Sequence, residues 1–117
     1  MRQETLDAIR SFRDERNWSR FHTAKDLAIS ISLEASELLE LFQWVGSDEA
    51  IEHDRAAMAD ELADVLIYAV QFADLVGLDL DTIVAEKLSK TAEKYPARSV
   101  ARCRDKYELH PAHGKGR

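Results

Sequence analysis

Four carboxylates stand where the chain is otherwise apolar: Glu34 and Glu37 in one segment, Glu61 and Asp64 in the next. Each pair is spaced i,i+3, which sets both acids on one face of a helix. Gathering four carboxylates in partly buried surroundings is prohibitively costly unless cations neutralise them. A donor set made only of oxygens points to a hard divalent ion, magnesium or manganese. Iron-carboxylate bundles use Glu-x-x-His pairs, and neither His22 nor His53 falls in such a motif.

A lone Glu-x-x-Glu in an Ala/Glu-rich helix is ordinarily solvated surface, as Glu40 and Glu52 read here. Two pairs in mirrored positions are different. With a turn centred near Glu49, Glu37 lies twelve residues before it and Glu61 twelve after. Two antiparallel helices joined there bring the pairs to the same height, facing each other.

The elements that must position these acids follow from periodicity. Leu6, Ile9 and Phe12 recur at helical spacing in a first helix over about 3–17. Residues 17–22 break the pattern and read as a loop carrying Trp18 and Phe21. Thr23 followed by Asp26 predicts the start of a second helix over about 23–45. Along its seam run Leu27, Ile31, Glu34, Leu38, Leu41 and Val45. A polar stretch, 49–55, leads into a third helix ending at Val76, where Gly77 stops it. From Leu62 to Val76 this helix is apolar on nearly every side, so it must be central or lie at a subunit interface. A fourth helix spans about 80–94 and ends at Tyr95-Pro96.

Composition bounds the rest. The chain has 117 residues, 45% of them hydrophobic, enough for one domain with a modest core. We expect that domain over 1–109, with 110–117 a mobile tail. Few Gly and Pro and many Ala, Leu and Glu favour an all-α fold, a bundle of about four main helices. One chain of this size cannot cover the third helix on all sides, so a dimer or dimer of dimers is expected. A net charge of −6 argues against binding a nucleic-acid polymer or an acidic membrane surface. The charged start lacks a signal-peptide core, no apolar run reaches bilayer length, and Cys103 stands alone, which together read as a cytoplasmic protein.

With these residues in hand, the chain resembles the MazG-type all-α nucleoside triphosphate pyrophosphohydrolases, and among them the small dCTP pyrophosphatase branch. The likeness runs from about Ile9 to Tyr107. It rests on Glu34-x-x-Glu37 followed by Glu61-x-x-Asp64 and on four strings in order. These are Glu-Arg-Asn-Trp-Ser-Arg-Phe-His at 15–22, Glu-Leu-Phe-Gln-Trp at 40–44, Asp-Glu-Leu-Ala-Asp-Val-Leu-Ile-Tyr at 60–68 and Lys-Tyr-Pro at 94–96.

The resemblance implies hydrolysis between the α and β phosphates of a nucleoside triphosphate, releasing a monophosphate and pyrophosphate. It makes Glu34, Glu37, Glu61 and Asp64 the Mg²⁺ ligands, with Mn²⁺ an alternative, and Glu37 our choice of general base. Lys87 and Lys94 match positions that contact phosphates, and Arg98, Lys106 and Tyr107 a segment near the site. Trp18, His22, Trp44 and Tyr68 are implied in the base pocket, with Trp44 closing the second helix and Tyr68 one turn beyond Asp64. Active sites are expected at a junction between subunits. Ile9 and Thr91 depart from the family at positions tied to base preference, so dCTP, or a modified dCTP, is one candidate substrate. Two other readings stay open: a phosphoribosyl-ATP pyrophosphohydrolase, and a non-catalytic helical oligomer whose acids bind a cation.

Overall fold

The computed structural model describes residues 1–97, and these carry four α-helices with no strand: α1 (Gln3–Glu15), α2 (Ala24–Glu40), α3 (Ser47–Val76) and α4 (Leu80–Lys94). The all-α class expected from composition is the one observed. The described residues fall into two units, one ending at Asp79 and one beginning at Leu80.

Helix α1 buries Ile9 and half-buries Leu6. It stops two residues short of expectation because Asn17 takes a left-handed conformation (φ 56°) that an α-helix cannot continue. A single 3-10 turn, Trp18–Arg20, follows and folds the Trp18 ring edge-on against Phe12, centroids 5.4 Å apart.

Helix α2 begins as its sequence predicts. The Asp26 backbone N–H donates to Thr23 Oγ1 at 3.0 Å, and the Thr23 N–H donates to Asp26 Oδ2 at 3.2 Å. This reciprocal cap satisfies two donors that a helix start leaves without partners. The other end differs from expectation: α2 closes at Glu40, so Trp44 does not end the helix. The N–H groups of Leu41, Phe42 and Gln43 turn to the carbonyls three residues back, at 3.0–3.2 Å, and this tightening winds the helix out. Gly46, in extended backbone, then opens α3.

The polar stretch 49–55 is also a correction. It is helical, and it forms the start of α3, broken from the remainder at Asp54 (φ −120°, ψ 26°). Ala50, 1% exposed, docks this short lead segment. The connection between the two long rods therefore runs from Leu41 to Asp54. Its middle falls at Ser47 and Asp48, one or two residues from the turn centre read in the sequence. The register of the acids survives although the turn itself is built differently.

Gly77 ends α3 in the left-handed region (φ 76°), which a residue without Cβ enters freely. That geometry lets the Leu78 N–H reach back to Ala73 O at 2.8 Å. Inside the first unit, α2 packs along α3 and buries Leu27, Val70 and Ala73. Helix α1 is held to α3 by a charged clamp. Arg10 Nε and Nη2 donate to the two Asp74 oxygens at 2.8 and 3.0 Å, and Arg13 Nη1 donates to Oδ2 at 3.1 Å. Both arginines hold the Asp74 carboxyl below its ordinary pKa.

Helix α4 belongs to the second unit and runs over the span expected for it, closing with the Tyr95 N–H on Thr91 O at 2.8 Å. The domain end at 109, the tail 110–117, Arg98, Cys103, Lys106 and Tyr107 lie outside the described residues.

Candidate functional site

Helices α2 and α3 deliver three acids to one place. Glu34, Glu61 and Asp64, all half-buried, each offer a carboxylate oxygen within 4.8 Å of the others. Glu37, one turn past Glu34, is exposed and stands outside this trio. It is still within hydrogen-bonding reach of Glu61, and its charge acts on both Glu61 and Glu34.

The electrostatics of the cluster follow from crowding. Partial desolvation first, then the charges of Glu37, Asp64 and Glu61, push the Glu34 carboxyl up to about 7. Glu61 is raised as well, by desolvation and then by Glu37. Glu34 and Glu61 are hydrogen-bond neighbours, and that bond favours a proton on Glu34 and charge on Glu61. Near neutral pH a proton therefore substitutes for a cation and relieves part of the repulsion.

One atom tests whether a metal suits this place. Glu61 Oε1 is buried and, with the neighbouring acids ionised, has no hydrogen-bond donor. A carboxylate oxygen in that state lacks a donor or a positive charge. A hard divalent cation held by Glu34, Glu61 and Asp64 supplies it, so the donors fit such an ion. Glu37 is placed to join the shell or to face water beside it.

Beside the acids lies a cavity of about 750 Å³ between α1 and α3. Its walls are mostly apolar, from Ile9, Phe12, Trp18 and Ile67, and its polar groups include Asp64, Tyr68 and Gln71. A pocket of this size with a few convergent polar groups is the usual form of a small-molecule site. The structure thus joins Trp18 and Tyr68 to the acid cluster through Asp64. His22 sits against Trp18, ring centroids 5.7 Å apart, and lines a second cavity of about 360 Å³ with Arg13, Asp74 and Gln71. Its Nδ1 is buried without a partner.

One expected site residue of the first unit, Trp44, is not gathered there. Trp44 lies in the α2–α3 connection and is 87% exposed, lining neither cavity. Lys87 and Lys94 are exposed on α4, in the second unit. Conversely, sequence reasoning passed over Gln71, although a lone amide inside an all-round apolar segment was the signal that could have found it.

The chain is similar to known proteins in sequence and in fold. A sequence model of the MazG-like family matches residues 29–108, spanning both acid pairs. Human dCTP pyrophosphatase 1 is 36% identical over 121 residues, covering 96% of this chain and 71% of the human protein. The mouse dCTP pyrophosphatase 1 is 37% identical over 103 residues, covering 80% of this chain and 61% of its own length. A crystal structure of a pyrophosphatase from Archaeoglobus fulgidus DSM 4304 is similar with a TM-score of 0.75 and 44% identity, covering 80% of this chain and 91% of that one.

Proposed function

The chain belongs to the MazG-like family and is a nucleoside triphosphate pyrophosphohydrolase, and on that premise we propose that it is a Mg²⁺-dependent enzyme cleaving dCTP or a modified dCTP to the monophosphate and pyrophosphate. Cleavage falls between the α and β phosphates, and Mn²⁺ is the natural substitute metal. Clearing such nucleotides from the pool is the role this activity serves.

The observation that carries the reading is the convergence of Glu34, Glu61 and Asp64 around the unpartnered Glu61 Oε1. These three residues, with Glu37, would hold the metal. When bound, Mg²⁺ screens the triphosphate and lowers the pKa of a coordinated water. The chain's own contributions are positional. Desolvation by the flanking apolar residues strengthens the attraction of the carboxylates for a dication. Glu37, exposed at the edge of the trio, has a second carboxylate oxygen to take the proton of the attacking water. Trp18 and Tyr68 line the cavity contiguous with Asp64. A base resting against such rings gains about 1–3 kcal/mol.

Trp44, Lys87 and Lys94 are kept in this reading as substrate contacts, in a dimer or tetramer with active sites at the junction. Support for assembly comes from the apolar surface a single chain leaves uncovered, Leu62 and Leu66 among it, 50% and 45% exposed.

The test is direct. Purified protein is incubated with a panel of NTPs and dNTPs with and without Mg²⁺, and nucleoside monophosphate and pyrophosphate are both assayed. The expected result is stoichiometric formation of the two products, abolished by EDTA, with dCTP or a 5-substituted dCTP preferred. Release of orthophosphate instead, or turnover indifferent to chelation, would refute it.

A further inference from the structure

Gln71 is the only polar residue among the fully buried ones in the described part of the chain, at 3% exposure. Its Oε1 has no hydrogen-bond partner, and neither has the nearby His22 Nδ1, so the two do not satisfy each other. Leaving a buried acceptor unpaired costs about 1–3 kcal/mol. Its sequence neighbours Val70, Phe72 and Ala73 show that an apolar side chain suits this stretch of α3. An amide held here at such a cost is explained by a partner that arrives with a ligand.

Placement identifies the partner. Asp64, Tyr68 and Gln71 follow at steps of four and three, so they share one face of α3. All three line the larger cavity. Gln71 lies about 10 Å further along the helix axis than Asp64, which is the reach from a nucleotide's phosphates to the far edge of its base. Along the way Ile9 and Phe12 offer contact area alone, and the Trp18 indole N–H is a donor that cannot accept from an amino group.

We propose that Gln71 is the specificity-determining residue of this site, its amide carbonyl accepting a hydrogen bond from an exocyclic amino group of the substrate base, so that the pocket favours a 4-aminopyrimidine over its 4-oxo counterpart. This rests on the pyrophosphohydrolase reading and locates the selectivity that reading requires. A site built to hydrogen-bond a group discriminates strongly against an analogue lacking it.

The probe pair is dCTP and dUTP, which differ in the 4-substituent, amino against oxo, and in the proton that uracil carries on N3. Steady-state kcat/KM is measured for both with wild type, Gln71→Met and Gln71→Leu, with Tm recorded for each. In the expected result wild type prefers dCTP, and the methionine and leucine variants lower the dCTP/dUTP ratio by about tenfold or more, while turnover of dUTP persists and Tm holds or rises. A wild-type ratio near one, or a ratio unchanged in a folded variant, overturns the role of Gln71 and leaves the pyrophosphohydrolase assignment standing. Absence of turnover of every nucleotide by wild type overturns that assignment instead. Calorimetric titration of dCMP and dUMP then decides Gln71 alone: a preference for dCMP that Gln71→Met abolishes supports it, and equal affinities sink it.

Discussion

At the residue scale the proposed chemistry rests on four acids, and they stood out in the sequence because carboxylates are conspicuous where everything around is apolar. Glu61→Gln and Asp64→Asn each remove a charge that the dication needs. We expect kcat/KM to fall by at least about a hundredfold in each, since even indirect supports of a metal ligand matter to that extent. Thermal stability of the metal-free variants should hold or rise, because repulsion with Glu34 is relieved. A variant that keeps near wild-type turnover at saturating Mg²⁺ removes its residue from the ligand set. The raised carboxyls of Glu34, up to about 7, and Glu61 also set a pH dependence. Folded, they hold protons that the unfolded chain has already released above the ordinary carboxylate range. Between about pH 4.5 and 7 the folded state binds more protons, so stability falls as pH rises through that window. Metal-free Tm should therefore be higher at pH 5.5 than at pH 8, and excess Mg²⁺ should reverse the order by favouring the ionised acids. A metal-free Tm that climbs steadily from pH 5.5 to 8 contradicts the crowded cluster. What the sequence hid at this scale was Gln71, whose importance comes only from the wall it shares with Asp64 and Tyr68.

At the scale of elements, hydrophobic periodicity and capping chemistry made the helices legible, and the capping pair Thr23–Asp26 placed one boundary to the residue. The α2–α3 connection was less legible. Its polar residues read as loop, yet Ala50 is buried and the segment is helical up to the break at Asp54. Polarity on the outer faces of a short docked helix looks the same in sequence as a solvated linker. The clamp of Arg10 and Arg13 on Asp74 was invisible for another reason: it joins residues more than sixty positions apart, which no local pattern reports. That clamp fixes α1, and α1 supplies Ile9, Phe12 and the approach to Trp18. Asp74→Ala should therefore loosen one wall of the cavity without touching the acids. We expect a stability loss of about 1.5–3 kcal/mol, from charge-assisted hydrogen bonds removed on a partly shielded pair. In kinetics, KM should rise severalfold while kcat stays within about twofold, because only binding is altered. Measured kcat falling with unchanged KM would mean that α1 serves the chemical step and not the pocket. Asp74 also protects the fold in acid. Its carboxyl is lowered, so its stabilising contribution is present above the ordinary aspartate value and is lost as pH falls below it.

At the scale of the whole molecule, the described residues leave several large apolar side chains exposed. Leu62 and Leu66 are spaced i,i+4 on α3 and half exposed, and Ile29 and Leu33 form a like stripe on α2, 47% and 56% exposed. The expectation of a subunit contact came from a third helix apolar on nearly every side, since a helix buries its face against something. Trp44, 87% exposed and apart from both cavities, belongs to the same problem. A large aromatic ring fully in water gains nothing in the isolated chain, and at a subunit junction it can reach the neighbouring site. Sedimentation velocity on the wild-type protein should give a dimer or tetramer at micromolar concentration. The double substitution Leu62→Glu with Leu66→Glu should shift it to smaller species, because two carboxylates cannot be desolvated at an apolar contact. If the site is completed across that contact, activity should fall in parallel with dissociation, although every acid of the cluster is intact. Trp44→Ala should instead leave the assembly unchanged and raise KM, a loss of about 1–3 kcal/mol if the ring stacks on the base. A monomeric wild type with full activity would confine the working site to one chain and leave Trp44 without a part in it.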